Sequence, residues 1–425
     1  DWSTYLGFAI GPGKEDHSWD KPLKKLRQRT EFWDWSKLGL QGAAVYFNVF
    51  VMPVLLFVAQ LEEPPPKVLA AIHRVLVKAS PGAAKWCTEA DLNSMQAEYG
   101  ARFSFRNLAA TAVAAKIRVG CWEARDGGGF RASKADKSLQ ATLLRSEYVC
   151  RCIRWSSWFG SSFPGNLCRA DEQLRAAGTS SRRLVEKLGK CQPHPWPQDV
   201  TDRARKNTQS SAYNFLNKRP QGWAEEKIRT KFNCWRLAGF PRILAREALS
   251  RLRLIGQRTP PRVHAAVWST LFGRWLTARR MGKWGACCFS CGVGSCDVTH
   301  YVACPRFRKF AADNLDLRVS GAEARQVFTL TEHPADHRGD SDTLIKVALA
   351  VFVAYHNFHS LRHASHLSEY ETRRTLSQAL VEATRGDATL MQLVSKARAK
   401  RWGGTAPPVE PGEAAPPASR RRRLR

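Results

Sequence analysis

The chain has 425 residues, and its 67 lysines and arginines against 37 aspartates and glutamates give a formal net charge of +30. That length exceeds the size at which one hydrophobic core stops growing, so we expect two or three packed units. Twelve cysteines are too dilute for a disulfide scaffold. The charge predicts a polyanionic partner, most simply nucleic acid, although a merely soluble cationic surface would have the same composition.

The N-terminal part is predicted to begin with one strand and to continue as helices. Tyr5–Ile10 is typical of a short strand, and apolar residues recur at helical spacing over Lys21–Lys37. Leu40–Leu61 is predicted to be an apolar helix kinked near Pro53, because proline removes an amide donor and clashes with the preceding turn. The proline run that starts at Pro64 should end it.

The most apolar stretch of this region, Ala43–Ala59, raises the question of a membrane span. It holds about 17 residues and is interrupted by Asn48 and Pro53, whereas a spanning helix needs about 20 apolar residues. We therefore expect a buried helix and no membrane partner, with a membrane anchor as the weaker alternative.

The middle of the chain is predicted to be an array of helices. Apolar residues recur at helical spacing over Lys67–Ser80, Leu108–Trp122 and Ser138–Trp158, with Gly, Pro and Ser clusters between them. The Pro-rich stretch Cys191–Pro197 is predicted to be a link, and Asp199 after it is a suitable residue to cap a new helix.

The last third is predicted to contain three helices and a tail. Pro260 and Pro261 are placed to open a helix, since proline is tolerated in the first turn. Thr343–His363 is predicted to be a long apolar helix and Leu367–Ala388 a polar one. Gly403–Arg425, rich in Pro, Gly, Ala and Arg, cannot bury a core and is predicted to be a disordered basic tail.

One group of cysteine and histidine residues has the spacing of a small zinc knuckle. Cys288 and Cys291 form a Cys-x2-Cys pair, His300 follows after eight residues, and Cys304 after three more. Two thiolates in one tight turn can reach the same ion, and His300 and Cys304 share one face of a helical turn. Four protein ligands leave no position for an activated water, so the zinc is predicted to be structural.

Two further cysteines compete for ligation in this segment. Cys287 can replace Cys288 at a looser Cys-x3-Cys spacing, and Cys296 lies between the two ligand pairs. The shorter spacing gives the tighter turn, so Cys288 is preferred. Buried cysteines without a metal are the alternative.

Basic and aromatic residues flank the predicted knuckle on both sides. Cations can contact phosphates, and flat rings can stack on bases. For any single residue, a cation on a wet helix face or an aromatic in a core is the better interpretation, so the prediction rests on the cluster. The predicted nucleic-acid-binding residues are Arg274, Arg279, Arg280, Lys283, Trp284, Phe289, Arg306, Arg308 and Lys309.

The sequence resembles the region that follows the polymerase palm in non-LTR (LINE-type) retrotransposon reverse transcriptases. The resemblance is carried by Tyr5-Leu6-Gly7-Phe8-Ala9-Ile10-Gly11, by the helical segment from Trp33 to Leu61, and by a Cys/His knuckle that ends in Cys304-Pro305. It implies a helical thumb that grips a primer–template duplex and a knuckle that helps to bind RNA or target DNA. The cysteine usage favours a reducing, intracellular compartment, the arginine run Arg420–Arg425 is suited to nuclear import, and the start at Asp1 without methionine suggests a fragment of something longer.

The same resemblance requires palm aspartates that this sequence lacks. Nucleotide addition in that family needs two metal ions held by aspartates, including a Tyr-x-Asp-Asp turn, and no Asp-Asp pair occurs here. We therefore expect no catalytic centre in this chain. One alternative is a fragment of an active reverse transcriptase whose palm lies upstream. The other is a zinc-containing protein-interaction scaffold, whose binding to its partner heparin would not compete away.

Together these features predict a mainly α chain with a short N-terminal β element, helical thumb-like and linker regions, a small zinc knuckle and a disordered basic tail. The predicted divisions are 1–63 for the end of the palm and the thumb-like helices, 64–195 for a helical array, 196–260 for a helical linker, 261–310 for a helix and the knuckle, 311–402 for the C-terminal helices, and 403–425 for the tail.

Overall fold

The computed structural model describes residues 2–5, 8–11, 14–83, 86–120, 163–181, 183–184, 209–235, 242–282, 285–292, 296–321, 323–332, 341–362 and 368–402. The predicted helix Ser138–Trp158, the link Cys191–Pro197, the helix start at Asp199 and the tail Gly403–Arg425 lie outside these ranges. Within them the protein is mainly helical with a small N-terminal sheet, as the sequence predicts.

The N-terminal β element is a hairpin. Strands β1 (Ser3–Tyr5) and β2 (Phe8–Ile10) pair antiparallel, with Thr4 opposite Ala9. The prediction of one strand over Tyr5–Ile10 is therefore corrected to two. A strand of three residues needs a partner for its backbone N–H and C=O groups, and the neighbouring strand supplies it.

The helices run through the described chain in the following order. They are α1 (Lys14–His17), α2 (Asp20–Glu31), α3 (Trp35–Tyr46), α4 (Met52–Ala59), α5 (Pro66–Ala79), α6 (Glu89–Asn93), α7 (Met95–Tyr99), α8 (Leu108–Gly120), α9 (Phe163–Ala176), α10 (Trp223–Phe232), α11 (Arg242–Arg258), α12 (Pro261–Leu271), α13 (Val298–Ala303), α14 (Pro305–Leu315), α15 (Ala324–Phe328), α16 (Ser341–Leu361), α17 (Glu369–Thr384) and α18 (Ala388–Trp402). Short 3₁₀ turns occupy Asn233–Trp235 and Arg279–Met281.

At the predicted kink near Pro53 the structure has a π-helical turn, which shows how the chain accommodates the proline. A π-helical turn over Phe47–Val51 joins α3 to α4, and Pro53 lies in the first turn of α4. Pro53 has no N–H for the Val49 carbonyl four residues earlier, so a wider turn avoids both the missing bond and the ring clash.

One helix boundary differs from the prediction. The predicted helix Lys21–Lys37 ends at Glu31. Helix α3 begins at Trp35 but is interrupted at Gly39, whose φ is 65°, so its regular part begins at the predicted Leu40. Beyond the polar helix α17 the chain forms α18, which was not predicted because its polar and apolar residues are mixed around its axis. A helix with a weak apolar stripe gives no clear periodic signal.

The core is organised around α16. This helix contacts α12 and α17 along much of its length, and also α11 and α14. Fourteen of its residues, from Thr343 to Leu361, are buried. One cluster of buried side chains extends from Trp19 to Val394 and draws on five of the six predicted divisions. A smaller cluster joins α8 to α9.

Two helical stretches are long and apolar enough to cross a membrane by composition, Lys37–Ala59 and Ser341–Leu361. In the second, 72% of the most apolar window is buried inside the protein, and in the first, half of it is. Burial of this extent is typical of core helices, so the two stretches are weak evidence for a membrane span.

Candidate metal centre

Four side chains that can ligate a metal converge between α12 and α14. The ligand atoms of Cys287, Cys291, His300 and Cys304 all lie within 4.8 Å of one another. The Cys287 and Cys304 Sγ atoms are 3.9 Å apart, and Cys291 Sγ is 3.3 Å from His300 Nε2.

These distances fit a tetrahedral zinc ion. With Zn–S bonds of about 2.3 Å and a Zn–N bond of about 2.0 Å, two ligand atoms on a tetrahedron are separated by roughly 3.5–3.8 Å. Three thiols and one imidazole are a common ligand set for structural zinc. All four positions are filled by protein, so the arrangement can stabilise a fold and leaves no site for a bound reactive water.

The structure corrects one predicted ligand. Cys287, the rival, belongs to the cluster, and Cys288 does not. Cys287 begins a tight turn in which its carbonyl accepts the Ser290 N–H at 3.0 Å and its Sγ accepts the Phe289 N–H at 3.4 Å. Cys288 is the next residue in this turn, and its sulfur lies outside the cluster. Adjacent residues in a turn point in different directions, so the looser Cys-x3-Cys spacing supplies the ligand.

Local backbone geometry shapes both ends of the ligand loop. Ser290 and Gly292, one on each side of Cys291, have positive φ angles of 54° and 70°, which turn the chain around that ligand position. Asp297 caps α13 by accepting the Thr299 N–H at 3.2 Å, and α13 carries His300. The helix cap therefore positions the imidazole.

Cys304 is placed to be the thiolate of the Cys287–Cys304 pair. The Cys287 S–H donates to its sulfur, and this bond lowers the Cys304 pKa most, with His300 and the N–H groups of Phe307 and Arg306 helping. Those two N–H groups belong to the first turn of α14, where free amide donors favour negative charge. The same bond, together with burial, raises the Cys287 pKa.

The knuckle packs into the main core. Phe289 and Tyr301 are fully buried, with ring centroids 5.1 Å apart, and Tyr301 stacks on Trp275 at 5.7 Å and contacts Phe358 of α16 at 5.2 Å. The base-stacking role predicted for Phe289 is therefore wrong, because its ring is inside the protein. A metal held by this cluster would therefore be coupled to the packing of α13 and α16.

Of the remaining predicted nucleic-acid contacts, Lys283 and Trp284 lie outside the described residues. Three of the arginines bond backbone carbonyls: Arg274 to Pro81 at 2.6 Å, Arg308 to Val319 at 2.9 Å, and Arg280 to Gly273. Arginines in such positions stabilise loops, which leaves fewer of their donors for phosphate.

The other flanking cations differ in whether they already form ion pairs within the protein. Arg306 pairs with Glu369 at 3.4 Å, and Arg279 pairs with Asp297 at 3.0 Å while its side chain stays 56% exposed. Lys309 is exposed on α14. The sequence-predicted set therefore divides into structural arginines and a small number of accessible cations.

A cationic hollow of about 470 Å³ opens beside the metal site. It begins at Pro305, the residue after ligand Cys304, and Arg308, Lys309 and Arg318 contribute its charge. Its eight lining residues are Pro305, Arg308, Lys309, Ala312, Leu317, Arg318, Val319 and Ser320, and none of these is acidic. Nearby Asp316 is already paired with Lys400 at 2.8 Å. We call this feature the cationic hollow.

Arg318 was missed by the sequence analysis. It follows α14, whose last turn ends at Asp316 with a positive φ of 48°. That reversal brings the chain back along α14, and the local sequence pattern does not predict it.

No family model, curated protein or solved structure matches this chain.

Proposed function

We propose that the protein binds the phosphate backbone of RNA or DNA through the cationic hollow, with a structural zinc ion fixing the chain that forms it. The observation that carries the proposal is the adjacency of the two features: ligand Cys304 caps α14, and α14 presents Arg308 and Lys309 to the hollow. The net charge of +30 supports the same class of partner.

The metal cluster and the cationic hollow are connected through α14. A zinc ion held by Cys287 and Cys304 would fix the first turn of α14 against the knuckle, because Cys304 is the N-cap residue of α14. Arg308 then reaches across to the Val319 carbonyl and closes the far side of the hollow. Lys309 and Arg318, which are exposed, remain available for phosphate oxygens.

We further propose that the chain is the nucleic-acid-binding, post-palm portion of a retrotransposon-type RNA-directed DNA polymerase. This rests on the resemblance of the N-terminal strand segment and of the knuckle ending in Cys304-Pro305. The coding sequence upstream of Asp1 tests it, since an open reading frame with a Tyr-x-Asp-Asp turn is expected there. An unrelated upstream sequence would contradict it.

Salt-dependent binding tests the hollow directly. The zinc-loaded chain should bind mixed-sequence RNA and DNA with an affinity that falls linearly with salt on a logarithmic scale. The double variant Lys309→Ala/Arg318→Ala should reduce that slope by about 1.4–1.8, because each lost phosphate contact removes about 0.7–0.9. Fluorescence anisotropy of a labelled strand measures both quantities.

Lys78→Ala is the matched control, because Lys78 is exposed on α5 and its loss changes the net charge without touching the hollow. It should leave the slope close to that of the unaltered protein. A flat salt titration of the unaltered chain, or an equal loss in the control and the hollow variant, would refute the proposal.

A further inference from the structure

A second surface, remote in sequence from the knuckle, exposes large aromatic side chains. Phe32 is 83% exposed, Trp33 41% and Phe50 49%. They lie where α2 ends and where the π-helical turn bulges outward. Soluble proteins seldom expose several neighbouring large apolar residues unless the surface binds something. We call Phe32, Trp33 and Phe50 the aromatic surface.

The rings of the aromatic surface are held by a buried tyrosine. Tyr46 packs against Trp33 at 4.5 Å and against Phe50 at 5.0 Å between ring centroids. Its hydroxyl donates to the Arg29 carbonyl at 3.2 Å. Trp33 is thus fixed before any ligand arrives, which lowers the entropic cost of binding.

A row of cations leads along α2 to the aromatic surface. Lys21, Lys25 and Arg29 are spaced four residues apart and therefore share one helix face over about 12 Å. All three are exposed, and none of them forms an ion pair with a carboxylate of the described residues. Arg29 also bonds the Phe50 carbonyl, which joins the row to the rings.

The ring geometry favours unpaired bases. Phe32 and Trp33 are 6.1 Å apart with ring planes inclined at 72°. Two bases that lay flat on these rings would be splayed apart, which a single strand allows and the parallel stack of a duplex does not. Cations beside aromatic rings are the combination that single-strand-binding surfaces use.

From these contacts we infer that the aromatic surface binds a single-stranded segment of RNA or DNA, with bases stacked on Phe32 and Trp33 and phosphates held by Lys21 and Lys25. The inference rests on the proposed function and adds a second site with a different substrate form. A strand held there and a backbone held in the cationic hollow would be contacted by different residues of one chain.

Comparing a labelled single strand with the duplex of the same sequence, both bound by the full zinc-loaded chain, tests the inference. Phe32→Ala should weaken single-strand binding by about five- to 150-fold, the range found for one lost base–aromatic stack. Duplex affinity should change by less than about twofold. Because no charge is removed, the salt slope should not change, whereas Lys25→Ala should lower it by about 0.7 for the single strand.

Phe32→Trp keeps a stacking face and should retain single-strand affinity, and Tyr370→Ala removes a 70% exposed ring from α17 as a matched control. Equal losses for single strand and duplex, or full single-strand affinity in Phe32→Ala, would overturn the inference. If Phe32→Ala instead abolishes self-association or capture of a protein, the surface belongs to a protein partner. A chain that binds neither nucleic acid form refutes the proposed function itself, whereas intact binding by Phe32→Ala refutes only the aromatic surface.

Discussion

The adjacent cysteines allow a sharp test of the metal centre. Cys287→Ser should abolish stoichiometric zinc binding, and Cys288→Ser should leave it intact, because only Cys287 places its sulfur in the four-ligand cluster. Residues that merely support a ligand cost about 10- to 100-fold in metal affinity when they are removed. Loss of Cys287 itself should therefore cost more than about 100-fold.

The effect on folding should be large, because the knuckle is part of the core. Structural zinc contributes on the order of 10 kcal/mol in small modules, and Phe289, Tyr301 and Phe307 are fully buried around it. For a folded unit of 150–250 residues, 1 kcal/mol shifts the unfolding midpoint by about 2–4 °C. Chelation, or Cys287→Ser, should thus lower the midpoint by about 20 °C or more.

Zinc content by elemental analysis and thermal unfolding by circular dichroism provide the two readouts. The serine at position 288 is the control, since it removes a thiol from the same turn without removing a ligand. Equal zinc content in the two variants, or loss of zinc only in Cys288→Ser, would show that the ligand geometry described above is incorrect.

Two further substitutions test the packing and the acid stability of the fold. A methyl group on Gly256 of α11 would lie 2.0 Å from the Gly100 carbonyl oxygen. Gly256→Ala should therefore lower the free energy of unfolding, measured in urea, by about 3 kcal/mol. Gly42→Ala is the control: its added carbon would meet Leu38 at an ordinary 3.7 Å, so it should be neutral or slightly stabilising. Burial lowers the pKa of His264 to about 4, and its ring donates to the Tyr99 carbonyl at 2.8 Å as a neutral imidazole. The unfolded state therefore binds the extra proton, and stability present above pH 6.5 should fall by about 3 kcal/mol as the pH drops from 6.5 to 4. His264→Gln should remove that part of the pH dependence; an unchanged difference between neutral and acidic unfolding would contradict it.

The candidate zinc ligands show how much of a metal site residue spacing alone can predict. The order of Cys291, His300 and Cys304 in the chain was enough to predict three of the four clustered residues. The choice between Cys287 and Cys288 was not, because it depends on which of two adjacent side chains faces inward. The Ser290 N–H bond to the Cys287 carbonyl sets that direction, and a hydrogen bond within a turn is not visible in residue spacing.

For the cations and aromatics that flank the knuckle, in contrast, residue identity and spacing predicted little of their actual role. Composition predicted a cationic surface, yet Phe289 is buried and Arg274 and Arg308 bond backbone carbonyls. Phe32 and Trp33, which are far from the knuckle in sequence, are among the rings that are exposed instead. An aromatic residue has the same identity in a core and on a surface, so only the packing around it decides which it becomes.

Local features were determined by the sequence itself: apolar periodicity placed helices such as α5, α8, α12 and α16, and proline placed the break before α4. These follow from forces between residues a few positions apart. The tertiary structure alone decided that Arg318 returns beside Lys309 and that Tyr46 holds Trp33. Contacts of that kind depend on how chain reversals and helices pack together, and that is set by burial of the shared core and not by any short segment.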